Sequence, residues 1–168
     1  MSGAGLSARI FNGPFIAKNP SFKIVSILRS SSKAPLEGYS AVPVTTSHDE
    51  FFANSEVQLV VITTPSNAHG VFVKAALDAG KHVVVEKPFT LTVEEGLELV
   101  SLAKSKGLVL AVFHNRRWDG DFLTIEKLVH DANSPLGTVV EYTAHFDSKI
   151  HYKSVFLIQC SHNLFDRI

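Results

Sequence analysis

The stretch HVVVEKPFTLTVEEG, residues 82–96, sets a strand, a charged tip and a helix start in direct succession. His82–Val85 is a β-branched apolar run, the signature of a strand covered on both faces. Thr92 stands where a helix N-cap belongs, and Glu95 falls three residues on, at the capping-box position. Between them, Glu86-Lys87-Pro88 puts an acid, a base and a proline at the mouth of a hydrophobic strand. Taken alone, these charges read as an ordinary solvated strand end. In an open α/β sheet, however, ligands bind outside the carboxyl ends of the strands, and charges there face a cleft.

Working outward, FKIVSIL (22–28), VQLVVIT (57–63) and LVLAVF (108–113) are further buried-strand candidates, and AVPVT (41–45) is an edge candidate because it contains Pro43. Helical stretches separate them. NAHGVFVKAALDAG groups Val71, Ala75, Ala76 and Ala79 on one expected buried face and stops at Gly80. The helix after Thr92 is expected to bury Leu97, Val100 and Leu102 or Ala103 and to stop at Gly107. SHDEFFAN reads as a short helix capped by Ser47. Strand–helix alternation of this kind specifies a parallel sheet with helices on both faces.

After Phe113 the texture changes. HNRRWDGDF is polar and aromatic, FLTIEKLVHDA reads as a helix, SPLG as a turn, and TVVEYTAHF alternates like a half-exposed strand. The expected division is a dinucleotide-binding domain over 1–115 and an incomplete second α/β domain over 116–168.

Composition narrows the function. Lys+Arg and Asp+Glu balance at 16 each, which gives no basic face for nucleic acid. No apolar run reaches the ~20 residues of a membrane span, and MSGAGLSARIF, without a charged n-region and a long apolar h-region, is not expected to act as a secretory signal. Cys160 is the only cysteine, so no internal disulfide forms and a cytoplasmic setting is expected. The histidines and the cysteine lack metal-ligand spacing.

GAGLSA places Gly3, Gly5 and Ala8 in the spacing of a dinucleotide fingerprint. The first glycine makes the tight turn, the second admits a pyrophosphate against the backbone, and the third small residue packs helix on strand. The motif should follow a strand, yet only Met1 and Ser2 precede it, so the central first strand is expected to be missing. The second strand ends in Arg29-Ser30-Ser31-Ser32-Lys33, without the acid that bonds ribose hydroxyls in NAD sites. A guanidinium with hydroxyls suits a ribose 2′-phosphate, which favours NADP(H) over NAD(H); a solvated loop is the alternative.

With the glycines, TTPSNAHG, AGKHVVVEKPFTLTVEEG and FHNRRWDGDF together, the chain resembles the Gfo/Idh/MocA oxidoreductases from about Gly3 to Asp147. The resemblance implies a Rossmann-type doubly wound domain followed by the start of an α/β open-sheet domain. It implies hydride transfer between a nicotinamide and a hydroxyl-bearing carbon of a sugar, polyol or related small molecule. By the same resemblance, Gly3, Gly5 and Leu6 would line the pyrophosphate, and Arg29 with Ser30 would meet the adenosine ribose. Thr64, Pro65, Asn67 and His69 would lie along the cofactor. Glu86, Lys87 and Pro88 would sit beside the nicotinamide, with Asn115, Arg116 and Trp118 closing from the domain junction. Lys87 would hold the substrate hydroxyl and relay its proton, its pKa lowered by partial burial. Glu86 would fix cofactor or lysine, and a cis Lys87–Pro88 bond is compatible with the turn.

The tail departs from the family pattern. His162 stands at the family's catalytic histidine, but Ile158 occupies the position of its aspartate partner and Cys160 that of a glycine. His162 is thus either a second catalytic group or a chance histidine. These signs read as a fragment, and the family's homo-oligomer is doubtful because its sheet would be incomplete. Besides an oxidoreductase impaired by truncation, a non-catalytic nucleotide-binding regulator or scaffold and an inactive remnant remain as readings.

Overall fold

The computed structural model describes residues 1–131, 133–137, 139–144 and 158–160. The chain divides into two compact units, Met1–His114 and Asn115–Ile168.

In the first unit a helical segment of π type, Ser7–Asn12, runs into α1 (Gly13–Lys18). There follow β1 (Ile27–Leu28), β2 (Val44–Thr45), α2 (His48–Ala53) and β3 (Leu59–Ile62). A 3₁₀ turn, Ser66–Ala68, leads into α3 (His69–Asp78), and then come β4 (His82–Val85), α4 (Val93–Ser105) and β5 (Leu110–Val112). All pairings are parallel: β1 with β2, β3 with β4, and β4 with β5.

No strand element forms where the first strand was expected to be missing, but Ser2 stands at its position in the sheet. Ser2 forms parallel bridges to both Leu28 and Ile62, joining the β2–β1 pair to the β3–β4–β5 sheet. Ser2 N–H donates to Val61 O at 2.8 Å and Thr63 N–H to Ser2 O at 2.8 Å. On the other side Leu28 N–H donates to Met1 O at 2.9 Å and Gly3 N–H to Leu28 O at 3.0 Å. A three-residue stub thus carries the central position of the sheet.

Alternation along the strands divides the core between two faces. Leu28, Val60, Ile62, Val83 and Val85 pack with Phe51, Val73, Ala76, Leu77, Leu99 and Ala103. Met1, Ile27 and Val61, with Val84 beside them, pack with Ala8 and Ile16 on the opposite face. This is the doubly wound arrangement that the strand–helix alternation specifies. Both helix caps hold, with Ser47 Oγ accepting from Glu50 N–H and Thr92 Oγ1 from Glu95 N–H.

The expected buried faces of α3 and α4 need correction. Val71, Ala79, Leu97 and Val100 are exposed, whereas α3 buries His69, Gly70, Val73, Ala76 and Leu77, and α4 buries Gly96, Leu99 and Ala103. Gly70 leaves room for the Glu95 side chain and Gly96 for those of Thr90 and Phe89, while Val73, Ala76, Leu77, Leu99 and Ala103 join the core.

In the second unit a 3₁₀ turn, Asn115–Trp118, precedes α5 (Gly120–His130). Here β6 (Tyr142–Ala144) pairs antiparallel with β7 (Ile158–Cys160).

Candidate dinucleotide site

Three strand tips and the glycine turn meet through hydrogen bonds. Gly3 has φ +99°, a conformation that favours glycine, and a Cβ there would lie 2.7 Å from both O and Oγ1 of Thr63. A Cβ on Gly5 would meet nothing within 4 Å. The first glycine is therefore demanded by the fold, whereas the second leaves open backbone for something outside it.

Glu86, at the tip of β4, is tied to the segment that follows the glycines. Ser7 Oγ donates to Glu86 Oε1 in a short hydrogen bond, and Asn12 Nδ2 donates to the same oxygen at 2.9 Å. Asn12 is buried and also reaches Ser7 Oγ at 3.2 Å. The other carboxylate oxygen accepts from Lys87 N–H at 3.3 Å, and Glu86 N–H donates to Ile62 O at 3.0 Å. Glu86 thus fastens the glycine helix to the sheet. Hydrogen bonds to an ionised carboxylate are about twice as strong as neutral ones, so this junction is firm.

His69 links the next two tips. It is 1% exposed, with Nδ1 2.7 Å from Pro88 O and Nε2 2.9 Å from Thr64 O. Both neighbours are carbonyl acceptors, so a neutral ring donates to one of them at a time, and His69 sits between the ends of β3 and β4. The Lys87–Pro88 bond is cis. Thr64 Oγ1 is buried without a hydrogen-bond partner among the described residues. An orphaned hydroxyl at a strand tip, beside a glycine turn with open backbone, fits a bound polar ligand.

Lys87 is exposed, contrary to the partial burial expected for it, and its ammonium has no ion-pair partner among the described residues. Pro65 and Asn67 are exposed beside Thr64, and Leu6 is 67% exposed next to Gly5. Arg29, at the tip of β1, is half-buried; Nη1 donates to Ala34 O at 2.9 Å, closing the serine loop, and Ser30 is exposed. With five N–H donors, a guanidinium so anchored keeps others for an anion.

Asn115, Arg116 and Trp118 lie in the second unit. Asn115 is half-buried, Arg116 donates to Asp119 Oδ2 at 2.7 Å, and Trp118 is 73% exposed with the Arg117 guanidinium 5.8 Å from its ring centre. The Asp119 carboxylate raises the Arg116 pKa. His162 lies outside the described residues. No group of three metal-ligating side chains occurs among the described residues, and no helix among them is long and apolar enough to cross a membrane.

Residues 1–114 match the Gfo/Idh/MocA profile, described as an oxidoreductase family with an NAD-binding Rossmann fold. The chain belongs to the Gfo/Idh/MocA oxidoreductase family. An uncharacterised oxidoreductase of Schizosaccharomyces pombe is 49% identical over 150 residues, 86% of this chain and 40% of that protein. The scyllo-inositol 2-dehydrogenase (NADP(+)) of Bacillus subtilis is 40% identical over 131 residues, 78% of this chain and 37% of that protein. The crystal structure of an oxidoreductase from Bacillus cereus superposes with a TM-score of 0.70 at 38% identity, covering 76% of this chain and 37% of that one. The chain thus spans about two fifths of the length of the relatives it matches.

Within this family setting, two residues that sequence reasoning missed become intelligible. Ser7 and Asn12 are polar positions on a helix that packs against the sheet, and both serve Glu86. The signal was present, since a buried asparagine in an apolar helix face needs a partner.

Proposed function

We propose that this chain supplies the dinucleotide-binding part of an NADP(H)-preferring oxidoreductase acting on a hydroxyl-bearing carbon of a sugar, polyol or related molecule. The observation that carries the reading is the tie from Glu86 to Ser7 and Asn12, which brings the Glu86-Lys87-Pro88 tip beside the glycine turn. Gly3 and Gly5 offer backbone to the pyrophosphate, Thr64 Oγ1 offers an unpartnered hydroxyl, and Arg29 with Ser30 offers charge and a donor to a 2′-phosphate. The nicotinamide, when bound, supplies or accepts the hydride. Lys87 holds the substrate hydroxyl and takes or returns its proton as the carbon is oxidised or reduced. Glu86 positions Lys87 through its backbone amide and does not itself reach for the substrate. The dehydrogenase of Bacillus subtilis carries NADP(+) and an inositol in its name, which supports the cofactor and substrate class proposed.

Fluorescence titration tests the reading. NADPH emission is expected to change at lower protein concentration than NADH emission, and equal responses would remove the role of Arg29. Lys87→Ala is expected to keep NADPH binding and stability, because the side chain is exposed, while any dehydrogenase turnover disappears. Turnover persisting in Lys87→Ala would contradict the proton-relay role. A parent chain that binds NADPH and turns over no polyol would favour the non-catalytic nucleotide-binding reading.

A further inference from the structure

Helix α4 carries two apolar faces. Gly96, Leu99 and Ala103 are buried, the last two within the core against the sheet. On another face Val93, Leu97 and Val100 are 72%, 65% and 36% exposed. With Lys104, also exposed, they follow one another at intervals of four, three and four, which keeps them within about 60° of one line along the helix. That spacing is the seam of a helix pair, whereas apolar residues scattered singly over a surface follow none.

The charges beside this seam are sorted by position. Glu94 and Glu98 stand exposed in the amino-terminal half of α4, and Lys104 in its last turn. None of the three has an ion-pair partner among the described residues, while the neighbouring Lys106 is held by Asp78 at 3.2 Å. Glu94 and Glu98 have the like-charge i,i+4 spacing that weakens an isolated helix. Roughly 15 Å of helix separates Glu94 from Lys104, so the two cannot meet within one copy. Acids first and a base last also suit the macrodipole, but the macrodipole does not account for three exposed aliphatic side chains set in line between them.

We propose that this face of α4 binds a second copy of the chain, the two helices packing antiparallel about a two-fold axis between Leu97 and Val100. In that register Leu97 meets Val100 of the second copy, and Val93 lies along the aliphatic stem of the second copy's Lys104. Glu94, next to Val93, then reaches the ammonium of that lysine, and the two-fold repeats every contact. The face complements itself only when reversed, since a parallel alignment sets Glu94 and Glu98 against the same acids of the second copy. One helix of 13 residues per copy makes a small interface, so the association belongs to the weak, concentration-dependent class.

Sedimentation equilibrium of the full chain tests this. The parent is expected to pass from monomer to dimer as its concentration rises toward ~1 mM. Leu97→Glu puts two carboxylates into the seam and is expected to raise the dissociation constant by about tenfold or more. Glu94→Lys and Lys104→Glu each set like charges together twice per dimer, and each is expected to weaken association by about fivefold or more at low salt. The double variant Glu94→Lys/Lys104→Glu exchanges the pair and is expected to recover the parent's affinity. Loss of helix stability cannot mimic that pattern: each single change opposes the macrodipole and the double opposes it most, so Tm falls furthest where association returns. A parent that stays monomeric throughout would overturn the proposal and leave the seam to a partner of another kind. A dimer indifferent to Leu97→Glu, or a double variant no tighter than the singles, would place the contact elsewhere and overturn it equally. None of these readouts depends on nucleotide binding.

Discussion

Gly3 and Gly5 are both glycines of one turn, yet the structure assigns them opposite failures. In Gly3→Ala the new Cβ lies 2.7 Å from the Thr63 carbonyl, a backbone atom that cannot swing aside, and φ is +99°. The conformation costs about 1–3 kcal/mol for a residue with a Cβ, and overpacking against the sheet adds about 1–3 kcal/mol. For a chain of this size a Tm loss of roughly 4 °C or more follows. In Gly5→Ala the Cβ meets nothing, so stability is expected to stay within about 0.5 kcal/mol of the parent. If a pyrophosphate runs against that backbone, the methyl fills its place, and NADPH affinity drops by about tenfold or more, roughly 1.4 kcal/mol. Urea melts and NADPH fluorescence titrations on the two variants separate the effects. A Gly5→Ala chain that binds NADPH as the parent does would refute the phosphate cradle. A Gly3→Ala chain as stable as the parent would refute the geometry of the turn.

Other consequences are measurable. Asn12→Ala removes a buried donor from the Glu86 carboxylate and is expected to cost about 1.5–3 kcal/mol in urea melts; a loss under about 0.5 kcal/mol would mean that the junction is not what holds the glycine helix to β4. Burial lowers the Met1 amine pKa from 8.0 to about 5, so the folded chain prefers the neutral amine. The unfolded chain binds the extra proton between those values, and stability therefore rises from pH 5 to pH 8 and is lost as pH falls. The span is worth up to roughly 4 kcal/mol. Urea melts of the free and Nα-acetylated chains across that range should diverge in slope; parallel curves would show that the amine is solvated.

The residues that define the site's chemistry were legible because they form local motifs. Gly3 and Gly5, the Glu86-Lys87-Pro88 tip and the Ser47 and Thr92 caps each announce themselves within a few positions. What stayed hidden depends on distant partners. Nothing near Glu86 in the chain names Ser7 or Asn12, and nothing near His69 shows that its ring sits between Pro88 O and Thr64 O. The faces of α3 and α4 were misread for a related reason. Leu97 and Val100 satisfy a helical period as well as Leu99 and Ala103 do, and the period alone does not say which of the two sets faces the sheet. The run 22–28 looked like one long strand, whereas β1 spans only Ile27–Leu28, the part with ladder partners on both sides.

The central claim is that separate strand tips converge on one crevice for a nicotinamide dinucleotide. Titrating NADPH into the ¹⁵N-labelled chain tests it most directly. The account predicts saturable shifts shared by the amides of Gly3, Gly5, Arg29, Thr64 and Lys87, all reporting one affinity. Shifts that fail to saturate, or that spare the glycine turn while moving Lys87, would contradict it.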